Sequence, residues 1–188
     1  MKPLTMLLGL PLLFGLSTAF AADPPSRVPE ATSASSSQDP RGSHCVVQLK
    51  PVGPREKVSW TKELGCFPTF AEAIKEATGV NIGPNTTPET ITAAEARSAQ
   101  GLIIGIDYDL PGYGGASISW LAPNFCAGSI YIANEPSYFD KILSSTRAFC
   151  NRNFSYTGMN QMGDYELCVP DCPSMLLDNA TSSKAWGQ

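Results

Sequence analysis

Histidine occurs once in these 188 residues, at His44. A multi-histidine zinc centre is thereby excluded, and Ser-His-Asp or Cys-His catalysis would have to run through that one ring. Charge is sparse as well: 16% of residues are charged, 13 basic against 17 acidic, with no like-charge run longer than two. A net charge of −4 without a basic patch makes nucleic acid a poor partner. The chain has no phosphate-binding glycine loop, no nucleotide fingerprint and no heptad pattern. It also has no uninterrupted apolar run of the roughly 20 residues that a membrane-spanning helix needs, so membrane insertion is not expected. Glycine and proline are plentiful, 16 of each, which favours many turns and short strands over long helices.

Residues 1–21 read as an export signal: Lys2 is the positive end, 6–16 the apolar stretch and Ala19-Phe20-Ala21 the small-x-small cleavage site. Gly9, Pro11 and Gly15 interrupt that stretch, which argues against a membrane anchor. The mature chain then starts at Ala22, carries 12 basic against 17 acidic residues, a charge of −5, and is expected to be secreted and extracellular. Residues 22–43, ADPPSRVPEATSASSSQDPRGS, hold too little apolar surface to repay the entropy of ordering and read as a flexible leader. His44 at its edge reads as solvated.

Export makes Cys45, Cys66, Cys126, Cys150, Cys168 and Cys172 a disulfide framework rather than metal ligands or nucleophiles. Six cysteines allow fifteen connectivities; chain order and local spacing favour Cys45 with Cys66, Cys126 with Cys150 and Cys168 with Cys172. The three residues inside Cys168-Val-Pro-Asp-Cys172 fit neither a thioredoxin-type pair nor a zinc knuckle.

Residues 44–100 read as a small α/β segment. Val46, Val47 and Leu49 suggest a strand that ends at Pro51. Thr69-Phe-Ala-Glu72 is a capping box opening a helix with Phe70, Ala73, Ile74 and Ala77 on its apolar stripe and Gly79 as its stop. Thr92-Ala-Ala-Glu95 repeats the signal for a second short helix. From 101 to 188 the character turns to β, with runs at 102–108, 116–121, 128–132, 144–149, 165–168 and 182–186 spaced as in a sandwich or Greek-key barrel.

Within this half two stretches of about 40 residues echo each other. The first opens Tyr108-Asp-Leu-Pro-Gly-Tyr113-Gly-Gly115 and closes Asp140-Lys-Ile-Leu-Ser144-Ser145. The second opens Tyr156-Thr-Gly-Met-Asn-Gln161-Met-Gly163 and closes Asp178-Asn-Ala-Thr-Ser182-Ser183. Such an opening folds a hairpin back on itself, the aromatics stacking across the bend and the glycine taking a positive φ. The closing segment gathers carboxylate, amide and hydroxyl oxygens, the ligand chemistry of a hard cation such as calcium.

These motifs resemble the βγ-crystallin family, whose Greek key opens aromatic-x-x-x-x-aromatic-x-Gly and whose calcium loop reads Asn/Asp-Asn/Asp-x-x-Ser/Thr-Ser. From Cys66-Phe-Pro-Thr-Phe-Ala-Glu-Ala-Ile74 to Trp186 the chain also looks like small secreted proteins related to a bacterial metalloproteinase-inhibitor family of that fold. The resemblance implies a mainly β fold, two Greek-key motifs forming a βγ-crystallin-like sandwich, preceded by a small strand-plus-helix segment. It also implies calcium as the ion, held by Asp178, Asn179, the Ala180 carbonyl and Ser182 in one loop, and by Asp140, the Ile142 carbonyl and Ser144 in the other. Lys141 departs from the pattern and brings a like charge toward the second site. The competing reading is turn chemistry without metal, since Asp, Asn and Ser side chains bond nearby amides. Asn85, Asn153 and Asn179 open glycosylation sequons, which count only in a eukaryotic host.

The functional expectation is a secreted, monomeric, non-enzymatic, disulfide-stapled module. Its partner would be an extracellular peptidase or a cell-surface component. A protein inhibitor of secreted peptidases is the alternative, with 121–126 and 134–140 as candidate loops, and a small antimicrobial or cell-surface-binding protein is the second. Asp107 and Asp109 are the nearest thing to a catalytic carboxylate pair and read more simply as solvent-facing. Trp120, Tyr131, Tyr138 and Trp186 invite a sugar platform, but Trp120 and Trp186 end strands in corresponding places and read as core. Met159, Met162 and Met175 read as gap-fillers under loops.

Overall fold

The computed structural model describes residues 43–98 and 102–188, so the expected export signal, and the expected leader through Gly42, lie outside the described residues. In chain order come β1 (His44–Leu49), β2 (Thr61–Phe67), α1 (Phe70–Thr78), α2 (Ala93–Ser98), β3 (Leu102–Leu110), β4 (Gly114–Ala122), β5 (Tyr131–Asn134), β6 (Ser145–Ala148), β7 (Arg152–Gly158), β8 (Met162–Leu167), β9 (Asp171–Cys172) and β10 (Ser183–Gly187).

The strands form two sheets, ordered β2-β1-β4-β3-β6-β9 and β5-β10-β7-β8. Taken as two four-strand motifs, β3 to β6 and β7 to β10, each keeps its first, second and fourth strands together and sends its third into the other sheet. This exchange makes a mainly β, βγ-crystallin-like sandwich of two Greek keys. The preceding segment is continuous with it: β1 runs parallel to β4, pairing Cys45 with Ile118 and Val47 with Trp120, and β2 lies antiparallel outside β1.

Both helix starts are capped. The Glu72 amide donates to Thr69 Oγ1 at 3.2 Å, the Thr69 hydroxyl donates back to Glu72 Oε2 at 3.0 Å, and Gly79 ends α1 in the left-handed conformation. Ahead of α2 the full reciprocal box forms, the Glu95 amide donating to Thr92 Oγ1 and the Thr92 amide to Glu95 Oε2. The stripe of α1 buries Phe70, Ala73 and Ile74 against Val46, Ile103, Ile106 and Leu121 on the outer face of the six-stranded sheet. Between the sheets lies a second core of Val47, Leu49, Ile118, Trp120, Tyr131, Ala133, Phe139, Leu143 and Trp186. The Trp120 and Trp186 rings meet there at 5.1 Å. Disulfides join Cys45 to Cys66, Cys126 to Cys150 and Cys168 to Cys172.

Some sequence expectations need correction. The strand β7 was not anticipated, because its alternation is inverted: Asn153 and Ser155 face the interior, while Phe154 and Tyr156 are half-exposed. Among the described methionines only Met175 is buried; Met159 and Met162 are 53% and 67% exposed on the second folded hairpin.

Candidate metal centre

The two hairpin openings fold by the same device. Tyr108 and Tyr113 pack at 5.4 Å between ring centroids, and Tyr113 takes φ +66; Gln161, in the corresponding place, takes φ +62. Gly115 and Gly163 follow at φ +80 and +81, where a Cβ would run into the side chains of Asp109 and Thr157. Ser145 Oγ donates to the Leu110 carbonyl at 2.7 Å and accepts from the Tyr113 amide at 3.1 Å. Ser183 does the same with the Gly158 carbonyl at 2.6 Å and the Gln161 amide at 3.1 Å. The last serine of each loop is thus a lock on the hairpin of its own motif.

The loops themselves meet as a pair. Lys141 and Asn179 hold equivalent positions with φ +61 and +53, and each donates its amide to the other loop, Lys141 to the Thr181 carbonyl and Asn179 to the Leu143 carbonyl, both at 2.9 Å. Ser144 and Ser182 are buried, their amides donating to the Tyr108 and Tyr156 carbonyls at 2.8 Å. Residues 140–144 and 178–182 are therefore brought together by the backbone. The carboxylates differ. Asp178 is exposed and its Oδ1 accepts from its neighbour's Asn179 Nδ2 at 3.0 Å, whereas Asp140 keeps a buried Oδ1 with no partner among the described residues. Lys141 is exposed, so its stem can carry the ammonium out toward water. The donor set is all oxygen and suits a hard cation; the orphaned Asp140 oxygen is the point where the fit is most direct.

Beneath the loops the interior holds charge that the sequence reading did not identify. Asp107 is not solvent-facing: it is fully buried, 3.0 Å from the buried Lys184 Nζ, and accepts from Trp120 Nε1 at 2.6 Å and from the Thr146 hydroxyl. Strand pairing turns Asp107 inward because the outer face of β3 is taken by Ile106 and Tyr108, which pack under the helices. Lys184 also donates to Thr146 Oγ1 at 3.2 Å and Ser155 Oγ at 2.9 Å. Glu135, just beyond β5, is 3% exposed, and burial above all, then Asp107, pushes its carboxyl well above the usual carboxylate range. One signal was available in the sequence: alternation through 182–186 places Lys184 on the same face as the core residue Trp186.

Other candidates resolve individually. Asn153 is fully buried with Nδ2 donating to Thr146 Oγ1 at 3.1 Å, which leaves no room for a glycan, while Asn85 and Asn179 are exposed. Trp120, Tyr131 and Trp186 are interior, so they form no sugar platform. His44 is not solvated at the end of a leader; it opens β1, its Nδ1 lies 2.8 Å from Ser117 Oγ, and burial pulls its pKa below the ordinary value against an opposing pull from Glu89. In the two candidate inhibitory loops the large side chains turn inward: Leu121 and Phe139 are buried, and Phe125 and Tyr138 pack against the core. Glu166 lies beside Cys168 and Cys172, but those sulfurs are bonded to each other, and its carboxylate takes the Leu176 and Leu177 amides. No helix among the described residues is long and apolar enough to cross a membrane.

No family profile matches the sequence, and no curated protein matches it. Solved structures similar to it include a βγ-crystallin from an archaeon, 21% identical, covering 45% of this chain and 96% of that one with a TM-score of 0.36. Another is a mutant βγ-crystallin domain from Clostridium beijerinckii, 19% identical, covering 45% and 99% with a TM-score of 0.35.

Proposed function

We propose that the chain is exported and acts outside the cytoplasm as a non-enzymatic, disulfide-stapled module whose paired loops bind calcium. The observation that carries this reading is the reciprocal joining of the two Asp/Ser loops, with Lys141 and Asn179 in matching left-handed turns and each amide bonded across to the other loop. Asp178, Asn179, the Ala180 carbonyl and Ser182 would hold one ion, and Asp140, the Ile142 carbonyl and Ser144 the other. A bound calcium supplies charge neutralisation and a cross-link between chain segments distant in sequence. The chain's own part is to fix the loops: Ser145 and Ser183 hold the hairpins beside them, and the cross-loop amides set their spacing. Three disulfides in a chain with an export-type N-terminus support an oxidising compartment. The only acid of the suggested carboxylate pair that is fully buried, Asp107, is spent on Lys184, Thr146 and Trp120, which supports a non-enzymatic role.

The test is thermal unfolding of the oxidised protein in excess calcium and then in chelator. At about 100-fold the dissociation constant, binding to the native state alone adds about 2.7 kcal/mol and raises Tm by several degrees, and Asp178→Ala should lose most of the rise. No rise in the wild type overturns the calcium reading. Stoichiometric inhibition of a metallo- or serine peptidase would then favour the inhibitor alternative.

A further inference from the structure

Four oxygen atoms beneath the loops are buried with no hydrogen-bond partner among the described residues: both carboxylate oxygens of Glu135, Oδ1 of Asp140 and Oγ1 of Thr181. The backbone brings their residues to one end of the sandwich. The Glu135 amide donates to the Ser182 carbonyl at 2.9 Å, one step past the Asn134 to Ser183 pair, so Glu135 stands opposite Ser182. The Lys141 amide, next to Asp140, donates to the Thr181 carbonyl. Alternation places Glu135 on the inner face, the face that also carries Ala133 and Lys184.

Lys184 cannot serve these acceptors. Its ammonium has three protons, and Asp107, Thr146 and Ser155 take them. Asp107 balances the lysine charge, which leaves Glu135 and Asp140 as uncompensated carboxylates. A buried anion without a partner is costly unless a proton or a cation neutralises it. One proton on Glu135 would leave the Asp140 and Thr181 oxygens without a partner, whereas a divalent cation held at this end of the sandwich would neutralise both carboxylates.

We infer that Glu135 and Asp140, with the Thr181 hydroxyl, form an interior site for a hard divalent cation between the β5–β6 connection and the loop entering β10. Its principal anionic donor comes from the end of β5, outside both Asp/Ser loops, and the site does not depend on Asp178. Oxygen-only donors, two of them carboxylates, match calcium better than a softer metal.

Calorimetric titration of the full, oxidised chain with calcium tests this, comparing wild type, Glu135→Gln, Asp140→Asn, Thr181→Val and Asp178→Ala. The amide of Glu135→Gln keeps the side chain's shape, and circular dichroism in chelator checks its fold; Thr181→Val, at a buried residue that neither loop site uses, is the second probe if Glu135→Gln misfolds. The expected result is a loss of about tenfold or more in affinity at one site in Glu135→Gln, Asp140→Asn and Thr181→Val, with that site retained in Asp178→Ala. Infrared spectroscopy gives an independent reading: in chelator the wild type should show a neutral-carboxyl band that calcium removes and Glu135→Gln lacks. Wild-type calcium affinity in Glu135→Gln and Asp140→Asn overturns the inference, and if Asp178→Ala alone abolishes binding the loop reading survives it. Loss in Glu135→Gln with no effect of Asp178→Ala upholds the interior site and overturns the site at Asp178. A wild type that binds no calcium and keeps its carboxyl band overturns both.

Discussion

Lys184 shows what a single residue does in this interior. It is a cation at zero exposure whose three donors are matched to Asp107, Thr146 and Ser155, and Asp107 is itself held by Trp120. Replacing Lys184 with Met should therefore cost about 3–5 kcal/mol in urea unfolding, because Asp107 is left charged and unpaired in the core. Changing Asp107 to Leu in the same molecule should recover most of that loss, since removing both ions also removes the desolvation cost. Alternation alone would have directed Lys184 inward beside Trp186. Nothing local in the sequence marked Asp107 as interior, because a carboxylate is buried only where distant segments supply the donors or cover it.

At the scale of elements, the molecule repeats one construction twice. In each motif a serine hydroxyl bridges a carbonyl and an amide across a folded hairpin, Ser145 for β3–β4 and Ser183 for β7–β8. Ser145→Ala and Ser183→Ala should each destabilise by about 1–2 kcal/mol in denaturant titration, since both backbone partners lose a part-buried bond. Equal losses in the two variants would confirm that the motifs are energetic as well as geometric equivalents. The capped helices and most strands were legible because their signals are local: a hydroxyl three residues before a carboxylate, an alternating run, a terminating glycine. The strand β7 escaped because Asn153 and Ser155 point into a polar interior built around Lys184 and Thr146, which reverses the usual apolar-in pattern. The edge strand β2 escaped for a different reason, with Thr61, Lys62 and Glu63 all exposed.

At the scale of the whole molecule, exchange of β5 and β9 between the sheets means neither Greek key can complete a sheet alone. The disulfides reinforce this unevenly, closing chain separations of 21, 24 and 4 residues. On the chain-entropy account, replacing both cysteines with Ala at Cys45–Cys66 or Cys126–Cys150 should cost about 3 kcal/mol, and at Cys168–Cys172 clearly less, measured as the fall in unfolding free energy. Arg147 adds a polar tie between the sandwich and the preceding segment, donating to the Pro88, Glu89 and Ile91 carbonyls at 2.9, 2.7 and 3.2 Å. By itself the sequence determined the twofold hairpin and loop signatures, the capped helices and the mainly β class, because each depends on the chemistry of neighbours within a few residues. The tertiary structure alone decided that β1 extends a sheet in parallel with β4, that two loops almost forty residues apart interlock, and that Glu135, Asp107 and Lys184 share one interior. Those outcomes turn on which distant strands pair and which face each presents, and a one-residue slip of any of these strands would have turned its charge to water.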